Sequence, residues 1–265
     1  MARRIALLRT AAAVAAALFL TSSPPAAADQ PGLTVFAAAS LREAFEAAAL
    51  AFAKQTGIKV TFAFGGSDML VTQLRQGAPA DVFASANEAQ MKVASDAGLL
   101  AAPARTFARN HLVVIVPKDN PAKIAALADL AKPGVKVVLA AATVPVGSYA
   151  RTAFRKLNGA QGFPADFSGF VERNVVSNEL DVKAVATKIA LGEGDAGVVY
   201  ATDVTPNVAT KVSTIPFPPG AAPPANYPVA PLKAAANAPG ARAFVAFILS
   251  PAGQAFLRAR GFAAP

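Results

Sequence analysis

The sequence predicts an α/β fold, and three observations carry that expectation. From Leu33 onward, short β-branched runs alternate with amphipathic stretches, the sequence form of strand–helix units on largely parallel sheets. The amphipathic stretches keep a helical apolar period. Setting aside a leader of 28 residues leaves 237 of 265, enough for one large or two modest α/β domains.

The leader is expected at residues 1–28. Arg3, Arg4 and Arg9 give a basic start, an apolar run extends to Leu20, and small residues end at Ala28, the pattern of a cleaved export signal. The apolar segment after Arg9 is short for a bilayer span. Strands are expected at LTVFAA, KVTFAF, DVFASA, HLVVIVP, KVVLA and GVVYA. Between them Leu41, Ala44, Phe45, Ala48 and Phe52 form one helical stripe. Ala150, Ala153, Phe154 and Leu157 form a second, and Val182, Val185, Ala186 and Ile189 a third. The proline-rich segment 216–228 reads as an extended linker, incompatible with helix or central strand. The helical pattern after it suggests a chain that returns to its first domain.

Composition excludes several functions. The chain has no cysteine, so an exported product has no disulfide framework and no thiol for a lipid anchor. With a single histidine, His111, inside a strand-like run, a zinc site of nitrogen and sulfur ligands is hard to assemble. A Ser-His triad is disfavoured on the same ground, and no GxSxG elbow is present. Without the three leader arginines, 22 basic residues face 16 acidic ones, a net charge of +6. These charges are scattered, which argues against a nucleic-acid surface and for mild steering of anions.

Four strand-to-helix junctions repeat one chemistry. Ser40 follows three alanines and opens a helix; by itself, such a serine is ordinarily an N-cap. Ser67 opens the next helix behind two glycines, Val146 lies between Pro145 and Gly147 before the second stripe, and Val182 begins the third. Four helices would thus present free N–H groups at the carboxyl ends of strands, where open α/β sheets bind ligands. Such termini carry partial positive charge and form a site for a small anion built from donors alone.

VFAAASL, GAPADVFASA, VPVGSYA, NELDVKAV and GEGDAGVVYATD, in this order over nearly the whole mature chain, resemble the periplasmic molybdate-binding proteins of ABC transporters. The resemblance implies a type II periplasmic-binding-protein fold. Its two α/β domains, each a mixed, mostly parallel sheet flanked by helices, would hold an oxyanion in the cleft between them. It divides the chain into domain I, residues 29–115 with 217–265, and domain II, residues 116–216. It places the ligand on Ser40 and Ser67 through hydroxyl and amide, on Val146 and Val182 through backbone amides, and on the phenol of Tyr200. Valine suits two of these positions because only backbone is used. As a lone strand aromatic, Tyr200 has an ordinary alternative in half-buried packing.

The implied function is binding without catalysis: a monomer, soluble in the periplasm after leader cleavage, captures molybdate or tungstate and delivers it to a membrane permease. No cofactor is expected. A carrier of sulfate or another tetrahedral oxyanion is the alternative on the same fold. A hydrolase using Ser40 or Ser67 lacks a base, and an iron(III) binder would want clustered tyrosines, whereas the chain has only Tyr149, Tyr200 and Tyr227. Three acids lie close to the junctions. Asp68 is expected to face solvent in its first helical turn, and Glu179 and Asp181 to serve as caps or surface partners.

Overall fold

The structure, a computed structural model, describes residues 31–265, so the expected leader at 1–28 lies outside the described residues. The chain opens with β1 (Leu33–Ala38), a 3-10 turn at Ala39–Leu41, α1 (Arg42–Thr56), β2 (Val60–Gly65), α2 (Ser67–Arg75) and β3 (Val82–Ala84). It continues through α3 (Glu88–Asp96), β4 (Arg105–Asn110), β5 (Leu112–Pro117), β6 (Val137–Ala140), α4 (Pro145–Lys156), α5 (Phe167–Arg173) and β7 (Val175–Glu179). Then come α6 (Val182–Ala190), β8 (Ala196–Tyr200), α7 (Pro206–Ala209), β9 (Val212–Pro216), β10 (Ala225–Pro231), α8 (Ala238–Leu249) and α9 (Pro251–Arg258).

These strands form two five-stranded mixed sheets, ordered β2-β1-β3-β10-β4 and β7-β6-β8-β5-β9. In the first, β1 pairs in parallel with β2 and β3, while β10 runs antiparallel between β3 and β4. The second repeats that plan: β6 is parallel to β7 and β8, and β5 runs antiparallel between β8 and β9. The parallel centre of each sheet therefore directs several strand ends to one edge, followed by helix starts.

All three stripes face inward. Leu41, Ala44, Phe45, Ala48 and Phe52 are buried, as are Ala150, Ala153, Phe154 and Leu157 in and just after α4, and Val182, Val185, Ala186 and Ile189 in α6. Phe244 of α8 meets the rings of Phe45 and Phe52 edge-on at 5.9 and 5.3 Å, which ties the C-terminal helices to the first sheet. α1 ends at Gly57, whose φ of 77° is a left-handed conformation that glycine adopts without steric cost. Among the described residues no single helix is long and apolar enough to cross a membrane.

Two expectations need correction. The proline-rich segment does not exclude an inner strand, because β10 holds Pro228 and Pro231 and pairs on both sides. Pro228 sits at the register shift against β4, where a missing N–H breaks no regular pairing, and its carbonyl still accepts from the Ser85 amide at 2.9 Å. Second, a boundary after residue 115 would cut β5, which lies wholly in the second sheet. The chain crosses at His111, between β4 and β5, and returns between β9 and β10.

Candidate functional site

Ser40 lies in the 3-10 turn that links β1 to α1, and Ser67 is the first residue of α2, directly after β2 and Gly66. Val146 follows Pro145 in the first turn of α4, where the missing proline N–H costs nothing. Val182 opens α6, and Tyr200 ends β8. These five residues, from both sheets, line one small cavity with about 10 Å³ open to the centre of a water-sized sphere. That is roughly the space of one such sphere, so only a small ligand suits it. All five are at most 4% exposed.

The cavity is lined by small and apolar residues at helix starts, by the hydroxyl residues Ser40, Ser67 and Tyr200, and by one acid, Asp181. Neither serine caps its helix: no side chain caps the turn at Ala39–Leu41, α2 or α4. Asp181 does cap α6, but its Oδ1 takes the amides of Lys183 and Ala184 at 2.8 and 3.0 Å and not that of Val182. The first-turn amides that precede the intrahelical ladder are thereby left without a capping side chain at residues that line the cavity. Ser67 Oγ accepts from the Ala86 amide at 3.1 Å, so its own proton is free to donate elsewhere. Tyr200 Oη is buried and finds no hydrogen-bond partner within the protein. Burial raises its phenol well above the usual value, and it stays a neutral donor. An orphaned buried hydroxyl at such a cavity is a place for an acceptor to arrive.

Close backbone approach needs glycine at two places. A Cβ on Gly66 would lie 2.5 Å from the Leu180 carbonyl oxygen, on the far side of the cleft. At Gly147 it would meet the carbonyls of Ala140 and Ala141, which would push the start of α4 off the end of β6.

No lysine, arginine or histidine lines the cavity. Lys183, next to Val182, is held at 2.9 Å by Glu43 of α1 and at 3.2 Å by the fully buried Asp203. Burial pushes the Asp203 carboxyl up to about 6, against the pull of Lys183. Asp68 does not face open solvent: its Oδ2 accepts from Thr143 Oγ1 of the opposite side at 2.7 Å, and its Oδ1 is buried without a partner. It is nevertheless absent from the cavity wall. Glu179 pairs with Lys188 at 2.8 Å; burial pushes its carboxyl up, but the bonds from Lys188 and Ser177 outweigh this and hold it below the usual range. Asp181 is the one acid on the cavity wall, and its Oδ1 is occupied by the two α6 amides it caps. Among the described residues, no group of three or more histidine, cysteine or carboxylate side chains is placed to hold a metal ion.

Sequence reasoning missed the residues behind the wall. Tyr227 Oη lies 3.0 Å from Ser40 Oγ, and Asn110 reaches both Tyr227 and Thr202. No local pattern marks them, because their partners lie far along the chain.

Residues 33–263 match the family model described as bacterial extracellular solute-binding protein. The chain is 44% identical over 234 residues to the molybdate-binding protein ModA of Mycobacterium tuberculosis, covering 88% of this chain and 85% of the relative. Its fold superposes on the Azotobacter vinelandii periplasmic molybdate-binding protein with a TM-score of 0.74, at 24% identity, covering 88% of this chain and 99% of that one. The sulfate-binding protein SubI from M. tuberculosis gives the same TM-score, 0.74, at 19% identity, over 88% and 86% of the two chains. At such identities the superpositions speak for the fold alone, whereas the family model spans nearly every described residue. With two mixed sheets, a small cavity between them and this match, the chain belongs to the bacterial extracellular solute-binding proteins.

Proposed function

We propose that this chain captures molybdate, and with it tungstate, in the periplasm and delivers it to the membrane permease of an ABC transporter. It does so as a monomer and without chemical turnover. The observation that carries the reading is the cavity wall: uncapped helix starts and the orphaned Tyr200 hydroxyl border a small space with no cationic side chain, and its one acid, Asp181, has an oxygen engaged in capping α6. Ser40 and Ser67 are the ligand's contacts on one side, with Val146, Val182 and Tyr200 on the other. The division falls at His111 and again after Pro216, with the C-terminal segment returning to the first domain. The 44% identity to a protein named for molybdate binding supports the choice of anion.

Physical chemistry supports the same choice. A fully deprotonated tetrahedral dianion matches a wall of donors, whereas hydrogenphosphate brings a proton that would face other donors, a mismatch that rejects analogues strongly. Sulfate passes that filter and must be rejected by size, since its shorter bonds cannot reach every donor at once. Each charge-assisted bond contributes about 1.5–3 kcal/mol, so several offset the cost of bringing the two halves together.

Calorimetry with molybdate, tungstate, sulfate and phosphate tests the proposal. Tight binding of the first two, with sulfate weaker by orders of magnitude, is expected. Sulfate binding at micromolar or better affinity would instead make the protein a sulfate carrier.

A further inference from the structure

We infer that Tyr227 and Asn110 are positioning residues that fix the direction in which the Ser40 hydroxyl donates, aiming its proton at the bound oxyanion. This rests on the oxyanion reading of the cavity and adds to it two residues that do not line the cavity wall.

The Oδ1 of Asn110 accepts from the His111 amide at 3.0 Å, which sets the orientation of the side-chain amide and turns its Nδ2 toward Thr202 Oγ1, at 2.8 Å, and Tyr227 Oη, at 3.5 Å. An amide nitrogen only donates, so Tyr227 Oη is the acceptor of that bond. Tyr227 is fully buried, and the other hydrogen-bond partner of its hydroxyl is Ser40 Oγ, at 3.0 Å. Were Ser40 the donor in this pair, the phenolic proton would have to turn away from both Ser40 and Asn110. In the inferred arrangement Asn110 donates to Tyr227 and Tyr227 donates to Ser40, so that each proton on this line meets an acceptor. With a lone pair of Ser40 Oγ so engaged, its proton is left for the cavity that Ser40 lines. Hydrogen bonds in such a chain polarise one another, which strengthens the last donor.

Asn110 ends β4 and precedes the first crossing between the sheets, and Thr202 follows β8 in the second. The direction of the Ser40 proton is thus tied to the geometry of the crossing itself.

A double-mutant cycle tests this. Molybdate, sulfate and hydrogenphosphate affinities are measured by calorimetry for the wild type, Tyr227→Phe, Ser40→Ala and the double variant, with melting temperatures of each as the check on folding. Tyr227→Phe should weaken molybdate about five- to tenfold in the wild-type background and less than about twofold in the Ser40→Ala background. A merely structural role would weaken binding equally in both, and that additive result overturns the inference while leaving the oxyanion reading intact. Failure of the wild type to bind any of the three anions would overturn that reading, and the positioning role with it. Should Tyr227→Phe not fold, Asn110→Asp keeps the shape but turns the donor into an acceptor. Its added charge acts in both backgrounds, so the same dependence on Ser40 is expected, and its absence overturns the inference.

Discussion

Replacement of Tyr200 by phenylalanine separates binding from stability, because the structure gives the hydroxyl no work to do without a ligand. The ring is packed against Tyr227 at 5.7 Å between centroids and stays in place in the variant, while the oxygen that is removed is buried and unpartnered. A buried polar group without a partner costs about 1–3 kcal/mol, so its removal should leave the ligand-free protein as stable as before or more so. For a chain of this size, 1 kcal/mol moves the melting temperature by about 2–4 °C, which sets a rise of up to about 10 °C. Loss of one charge-assisted bond to the anion, about 1.5–3 kcal/mol, should weaken molybdate about 10- to 150-fold. Differential scanning calorimetry of the ligand-free protein and titration calorimetry with molybdate read the two effects separately. An unchanged molybdate affinity would remove Tyr200 from the site. A fall of several degrees in the ligand-free melting temperature would show that the hydroxyl has a structural partner after all.

Three other outcomes are expected. Gly66→Ala should weaken molybdate by about tenfold or more, because its Cβ would lie 2.5 Å from the Leu180 oxygen across the cleft. The wild type is expected to compact on binding molybdate in small-angle scattering, and the variant should not, while its ligand-free melting temperature stays close to that of the wild type. Molybdate affinity should be flat from pH 7 to 9, since the phenol that lines the site is raised by burial well above 10 and stays protonated; a steep change in that range by calorimetry would point to an ionisable ligand. Asp203 has its ordinary value of 3.8 in the unfolded chain and about 6 in the fold, so between these the folded protein binds the extra proton. Its contribution to stability is therefore fully present at low pH and falls as pH rises, by about 3 kcal/mol over the interval. Denaturant unfolding should show the stability of the wild type relative to Asp203→Asn decreasing from pH 4 to 7, and a difference independent of pH would refute the assignment.

The central elements of both sheets were legible in the sequence because burial on two faces writes long apolar runs, as in the fully buried LVVIVP of β5. The strands that escaped notice are mostly edges. β4, β7 and β9 end the two sheets, and their exposed positions carry Arg105, Asn178 and Thr214, which dilute the strand pattern. The inner strand β10 was hidden for another reason: its prolines argue locally against pairing, and only the register shift at Pro228 makes them compatible. At the site, the serines and valines stood out because each opens a helix after a strand. Tyr227 and Asn110 did not, since the bonds that matter join residues 187 and 117 positions apart, a relation fixed by the return of the chain to the first sheet.

The ion pairs beside the cavity show how the proposed anion site would do without a cation. Lys183, one residue from Val182, is the ammonium nearest in sequence to the proposed contacts, yet Glu43 and Asp203 hold it at 2.9 and 3.2 Å. Two carboxylates balance its charge, and the pair with Glu43 joins α6 to α1 and so spans the two halves. The lysine therefore ties the halves together, while an anion bound as proposed would meet amide and hydroxyl dipoles at the helix starts. A mobile ammonium would follow any anion that enters and reward charge alone. Dipoles anchored in four separate backbone segments cannot follow, so they reward an anion whose oxygens reach all of them at once, and selectivity among dianions becomes a matter of spacing rather than of charge.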